Sequence, residues 1–307
     1  MRIGIGIAAD GASLEATLEE YVRAEKDGFT AAWTPNIFAF DALTLIALAG
    51  GLTSRIELGT AVVPTFPRHP FALAQQAMTV QAATQGRLAL GLGPSHRVVI
   101  ETMLGLSYEK PARHMREYLS VLCALRDNAQ VSFEGETYRV QGNLKVSGCS
   151  PFPVLVGALG PAMLKVAGQL ADGTVTWMTG ARVLEKTIVP TITRHAREAG
   201  RAAPRVVAGI PVCVTDDADG ARETAAKLFA IYGTLPSYRA MLDAEGAAGP
   251  ADIAIIGDEK QVKASLSRLA SAGVTDLQGS IFPSGQDRAA SRARTYALLA
   301  SLGGDIG

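Results

Sequence analysis

Short apolar runs rich in β-branched residues recur along the chain, and each is followed by a longer helical pattern. That alternation restricts the fold more than any other feature. "RIGIGIA" (Arg2–Ala8) reads as a strand, and Leu14, Leu18, Tyr21, Val22 and Glu25 then keep helical spacing up to Gly28. "FTAAWT" (Phe29–Thr34) is a second strand, followed by a helix beginning near Asp41, a suitable N-cap. "IELGTAVV" (Ile56–Val63) and "RLALGLG" (Arg87–Gly93) are the third and fourth strands, with helices over Phe71–Thr84 and Lys110–Asp127. "VSFEGETYRVQG" alternates apolar and polar residues around a glycine turn and reads as an inserted β-hairpin. "FPVLVGAL" is the fifth strand, and its helix starts after Gly160-Pro161, with proline suited to a first turn. "GTVTWM", "RVVAGIPVCVT" and "VTDLQGSIFP" complete the set, with one helix ending near Gly200 and a last one running to roughly Ser301.

Eight strands alternating with helices favour a closed (β/α)8 TIM barrel over an open sheet. The expected fold is therefore α/β, with a β-hairpin insertion after strand four and a helical excursion late in the chain. Ala218–Gly257 is longer than one strand–helix unit needs, so extra helices over Ala221–Tyr232 and Ser237–Glu245 are placed across the barrel mouth. The 307 residues suit one such domain, and a hydrophobic content of 48% against 19% charged residues can fill its core. Twenty-nine basic residues balance twenty-nine acidic ones, so net charge gives no pull toward nucleic acid or a membrane surface. The apolar runs all fall short of the roughly 18 residues of a membrane span. The opening "MRIGIGIAADG" reads as strand rather than signal peptide, which gives the expectation of a cytoplasmic protein. Cys123, Cys149 and Cys213 are scattered, without metal or redox spacing, and read as reduced structural thiols.

In such barrels chemistry sits at the C-terminal ends of the strands. Those ends read Trp33-Thr34-Pro35-Asn36, Ala61-Val62-Val63-Pro64-Thr65, Gly91-Leu92-Gly93-Pro94-Ser95-His96, Val156-Gly157-Ala158-Leu159-Gly160-Pro161 and Trp177-Met178-Thr179-Gly180. They offer backbone groups and flat apolar surface, with few carboxylates, no paired acids and no metal-ligand set. Ser95 lacks the elbow motif of a serine nucleophile. "GALGPA" has two readings: free N–H groups directed at a phosphate, or a tight strand-to-helix turn. His96 is either a surface histidine or the titratable group of a site. His69 reads as a helix cap or a packing partner of Phe66, while His114 and His195 fall within helical patterns and read as structural or solvated.

"GTAVVPTF", "GRLALGLGPSHR" and "PFPVLVGALGPAMLKVAGQLADGTVTW" together resemble the luciferase-like monooxygenase superfamily, and most closely its branch that uses the deazaflavin coenzyme F420. The resemblance runs over nearly the whole chain, hairpin included. It implies a cofactor at the barrel mouth, with Thr60, Ala61 and Val62 behind the ring and a cis peptide at Ala61–Val62. It places Gly93 and Ser95 near the ring or its side chain. Gly157, Ala158, Leu159 and Gly160 receive the phosphate end, and Thr179 and Gly180 line the mouth nearby. The chain departs from the pattern where Pro35-Asn36 stands in place of an acidic residue and histidine, and where His96 replaces an acid after strand four. His96 is then the better proton donor or acceptor, and Asn36 can polarise a carbonyl through its amide.

Trp33, Phe38, Phe66 and Trp177 are candidate walls of a substrate pocket, the alternative being ordinary core packing. Arg68 and Arg97 are candidate partners of an anionic tail, the alternative being solvated charge, and Arg87 lies on the opposite rim. The functional expectation is a coenzyme F420-dependent oxidoreductase that exchanges a hydride with a small organic substrate. Two others stand beside it: an FMN-dependent monooxygenase, and a non-catalytic flavin-binding protein. The resemblance also implies a homodimer.

Overall fold

A computed structural model describes residues 1–8 and 11–303. Its strands are β1 (Arg2–Gly6), β2 (Ala31–Thr34), β3 (Glu57–Thr60), β4 (Val63–Pro64), β5 (Leu88–Gly93), β6 (Gln130–Glu134), β7 (Arg139–Asn143), β8 (Val154–Gly157), β9 (Gly173–Trp177), β10 (Arg205–Val214), β11 (Ile255–Gly257) and β12 (Asp276–Ile281). Parallel pairing runs β1–β2–β3–β5–β8–β9–β10–β12 and returns to β1, which closes the barrel. The helices are α1 (Leu14–Lys26), α2 (Ala42–Gly50), α3 (Pro70–Ala83), α4 (Pro111–Asn128), α5 (Pro161–Leu170), α6 (Ala181–Val183), α7 (Val189–Glu198), α8 (Ala218–Leu228), α9 (Pro236–Glu245), α10 (Glu259–Ser271) and α11 (Arg288–Ser301).

Three departures from the sequence reading have local causes. The third strand is not continuous: β3 stops at Thr60, the Ala61–Val62 peptide is cis, and β4 resumes pairing with β5. The helix expected to end near Gly200 contains a π-helical turn, Leu184–Ile188, just before Pro190. Proline has no N–H to donate, and the hydrogen-bond ladder shifts register ahead of it. The late excursion ends in a strand, β11, which pairs with the outer half of β10.

Side chains inside the barrel are matched large to small. Trp33 fills the lower interior with Ala31, Ala89, Leu155, Val175 and Val207. It fits because Gly4 and Gly59 lack side chains: a Cβ on Gly59 would stand 2.3 Å from the Trp33 ring. Below it, Arg205 bridges Glu57 at 2.8 Å and Asp276 at 2.7 Å, and Arg2 joins the same carboxylates. These charges close the N-terminal end of the barrel, opposite the mouth.

Charged side chains also fix the connections. Glu25 of α1 accepts the amides of Arg55 (2.6 Å) and Ile56 (2.9 Å). Burial alone would raise its pKa, but those backbone donors, with Ser54, hold it at about 2. Glu117 of α4 takes the turn of the β6–β7 hairpin in the same way, accepting from Thr137 at 2.7 Å and Tyr138 at 3.0 Å. The insertion is thereby seated on the helix that precedes it. No described helix is long and apolar enough to cross a membrane.

Candidate active site at the barrel mouth

The bulge between β3 and β4 turns Val62 toward the ends of β5 and β8. A Cβ on Gly93 would meet a Val62 methyl at 2.9 Å, and one on Gly157 would meet the same methyl at 3.7 Å and the Gly93 Cα at 3.8 Å. Three strand ends thus meet as one valine methyl over two bare backbones. Ala61, Val62 and Gly157 are only partly buried. Gly93 is buried beneath Val62, so the surface that a flat molecule can approach consists of Ala61, Val62 and the bare backbone of Gly157.

Beside it, α5 begins at Gly160 without a side-chain cap, and Pro161 follows. Among the described residues, a Cβ on Gly160 would meet nothing within 4 Å. An open helix start with unsatisfied amides suits an anionic group. Ala158 contributes differently from its neighbours: its side chain is fully buried in the core, and its carbonyl accepts from Thr174 at 3.4 Å, leaving Gly157, Leu159 and Gly160 at the surface.

Several candidate residues serve the fold instead. Thr60 is fully buried, and its hydroxyl donates to the Gly91 carbonyl at 2.6 Å and accepts from the Gly91 amide at 2.9 Å. It ties β3 to β5 behind the bulge and presents nothing to the mouth. Trp33 likewise belongs to the barrel's own core, not to a pocket wall. Thr179 is fully buried with its hydroxyl on the Trp177 carbonyl, and Gly180 lies under the Glu245 carboxylate. Neither is open to a ligand. The Asn36 side-chain oxygen accepts from Ala42 at 3.0 Å, so that end of the amide fixes the loop into α2. Arg68 reaches Asp41 at 2.5 Å and is committed to that ion pair. Burial would raise the Asp41 pKa, but hydrogen bonds from Thr44 and the Arg68 guanidinium hold it below the usual carboxylate range.

The remaining aromatics form the rim. Phe66 stacks flat on His114, centroids 3.9 Å apart, and on Tyr108 at 5.1 Å. His114 is more than the helical bystander its spacing suggests. Its Nε2 pairs with the Thr65 hydroxyl at 2.9 Å, and burial pushes its pKa down to about 4. The Tyr108 hydroxyl donates to the Ser95 carbonyl at 3.0 Å, holding Ser95 at φ +60°. Phe38 is exposed, as is Ile37 beside it. Trp177 faces the rings of Tyr232 and Phe229, and its indole N–H is buried with no hydrogen-bond partner among the described residues.

His96 is half-buried at the rim, its ring 5.5 Å from that of Tyr238. Burial pushes its pKa below the ordinary histidine value, so at neutral pH it is an uncharged imidazole able to give or take one hydrogen bond. Tyr108, Tyr232 and Tyr238 were not legible as site residues. The last two stand on the excursion, whose helices the sequence places across the mouth without assigning which of their side chains enter it. An open groove of about 620 Å³ along α1, lined by Leu18, Val22, Arg23 and Leu52, lies on the barrel's outer face and away from these groups.

A closed parallel barrel with a bulged third strand and a glycine-walled mouth defines the class. The luciferase-like monooxygenase family model matches residues 1–276, and the chain belongs to that family. It is an enzyme. An uncharacterized protein of Mycobacterium tuberculosis is 33% identical over 240 residues, 73% of this chain and 70% of the relative. The F420-dependent glucose-6-phosphate dehydrogenase of Nakamurella multipartita is 30% identical over 234 residues, 74% of this chain and 67% of the relative. Among solved structures, the coenzyme F420-dependent tetrahydromethanopterin reductase of Methanopyrus kandleri superposes with a TM-score of 0.80 at 25% identity, covering 99% of this chain and 98% of that one.

Proposed function

We propose that the protein is a coenzyme F420-dependent oxidoreductase that exchanges a hydride with a small organic substrate. The observation that carries the reading is the meeting of Val62 with Gly93 and Gly157 beside the uncapped start of α5. The residues fit the coenzyme: bare backbone for the planar ring, and an open helix start for the anionic tail. Relatives named for coenzyme F420 support the choice.

When bound, the coenzyme supplies a two-electron hydride at its ring. Val62, packed on Gly93, would hold the ring from behind, and Ser95, positioned by Tyr108, would border it. Gly157, Leu159 and Gly160 would receive the phosphate end through main-chain N–H groups. Phe66 and Trp177 flank the open side, exclude water and orient the substrate. As a neutral imidazole, His96 would take up the proton that the substrate loses as its hydride leaves for the coenzyme. Such a group contributes roughly a hundredfold or more, and orientation of the reactants can supply up to about 7–11 kcal/mol.

The same reading carries a homodimer in the cytoplasm. The exposed apolar residues Val22, Leu48 and Leu52 on α1 and the α2 end are its candidate contact. Sedimentation of the protein before and after Leu52→Glu tests this: a dimer that becomes a monomer is expected, and a monomer throughout contradicts it. The cofactor assignment is tested by titration with F420 and with FMN. Binding of F420 at micromolar concentration or below is expected, and binding of FMN alone contradicts it.

A further inference from the structure

From Ala226 to Met241 no residue is buried. Yet this stretch places two rings over the mouth: Tyr232 lies 5.8 Å from Trp177, and Tyr238 lies 5.5 Å from His96. Tyr232 and Tyr238 also meet each other edge to face at 5.2 Å. Phe229 anchors the near end of the segment edge to face on buried Phe282 at 5.6 Å; between it and Leu242 little apolar area is removed from water, so packing holds residues 230–241 weakly. Leu242 is the buried residue of α9.

The far end is held by charge. Glu245, the last residue of α9, accepts the Val183 amide at 2.8 Å through one oxygen and the Arg182 amide at 3.2 Å through the other. Those amides open the helical run that starts at Ala181, where the helix dipole favours a carboxylate. Arg239 instead binds Asp243 and the carbonyls of Ala247 and Ala248, which stiffens the turn after α9 without tying it to the barrel. Gly180 leaves the space that Glu245 fills. Its φ of −74° and ψ of 164° suit any residue, but a Cβ there would stand 2.2 Å from the Glu245 carboxyl carbon.

We propose that residues 229–245 are a movable wall of the active-site mouth and that Glu245 is its latch. With the carboxylate seated on Arg182 and Val183, Tyr232 and Tyr238 narrow the opening beside Trp177 and His96. With it released, the two rings swing clear and molecules enter or leave. The closed opening is bounded by four rings, which favours a flat, largely apolar acceptor. The latch stands on the contacts alone; its part in ligand access rests on the F420 reading.

The test is amide hydrogen exchange on the whole protein without ligand, for wild type, Glu245→Ala, Glu245→Gln and Gly180→Ala. Glu245→Ala should raise exchange across 229–245 and at Arg182 and Val183 by roughly tenfold, with β5 and β8 unchanged. Gly180→Ala should do the same while keeping the glutamate, because its methyl displaces the carboxylate. Glu245→Gln retains one acceptor oxygen and should fall between. Wild-type exchange across 229–245 in both alanine variants overturns the latch. Stopped-flow mixing with F420 then reads access, and association and dissociation should both quicken several-fold in the alanine variants. Faster exchange with unchanged F420 rates overturns the wall. Faster exchange in a protein whose wild type does not bind F420 overturns the cofactor reading and leaves the latch in place.

Discussion

Val62 and Gly93 stand so close across the barrel mouth that a methyl on the glycine would lie 2.9 Å from a methyl of the valine. The contact joins the bulge of the third strand to the end of the fourth, so it sets both the shape of the mouth and the packing behind it. Gly93→Ala should therefore cost about 1–3 kcal/mol through overpacking and weaken cofactor binding. Chemical unfolding and a binding titration check the two effects. Wild-type stability with wild-type affinity would mean that the mouth absorbs the methyl freely.

Gly157 separates the two effects. A Cβ there meets its neighbours at ordinary contact distances, 3.7–3.8 Å. Gly157→Ala should fold with near-wild-type stability, whereas Gly157→Val should reduce affinity for the coenzyme at least tenfold by crowding the path to the α5 start. Unchanged affinity in the valine variant, measured by fluorescence titration, would place the anionic tail elsewhere.

Thr60 makes a purely structural prediction. Its buried hydroxyl serves both the N–H and the C=O of Gly91. Thr60→Val keeps the shape and leaves those groups without the hydroxyl, at a cost of about 1–3 kcal/mol. A melting temperature equal to wild type would show that the clip between the third and fourth strands contributes nothing.

Histidine burial gives a pH dependence with a definite sign. His114 has its pKa lowered by burial to about 4 from 6.5, and burial lowers that of His96 as well. Between those values the unfolded chain takes up protons that the folded protein does not. Stability should be constant above pH 6.5 and fall as pH drops toward 4, with His114 contributing on the order of 3 kcal/mol across that window. His114→Phe keeps the ring stack on Phe66 and should flatten the slope between pH 6.5 and 5, read from urea unfolding at each pH. A slope unchanged by the substitution would contradict the burial argument.

For His96 the same sign applies to turnover. Its neutral form is the competent one, so rate should hold above pH 6.5 and decline as the ring protonates below it. His96→Ala should lower turnover roughly a hundredfold, abolish the acid limb and leave coenzyme affinity within a few-fold. Equal activity in the variant would remove His96 from the chemistry.

The alternation of strands and helices was sufficient to place the barrel, the hairpin and the excursion, because periods of two and 3.6 residues are local properties. The cis peptide at Ala61–Val62 followed from the "GTAVVPTF" resemblance and is present. Side-chain depth was not legible. Trp33 and Trp177 both lie near strand ends and look alike in sequence, yet one sits in the lower interior over Arg205 and the other under the rings of the excursion. The resemblance put Thr60 behind the ring and Thr179 at the mouth, but each commits its hydroxyl to a backbone group. Glu245 was invisible for a different reason. Its partners lie 63 and 62 residues away, and nothing local to a helix end announces a contact at that distance.

The glycine-walled mouth as a seat for coenzyme F420 is tested most directly by calorimetric titration of the purified protein with F420 and FMN in parallel. One F420 should bind per chain at micromolar concentration or tighter, with FMN at least tenfold weaker and with the F420 signal diminished in Gly157→Val. Saturable FMN binding with no heat from F420 would contradict the assignment.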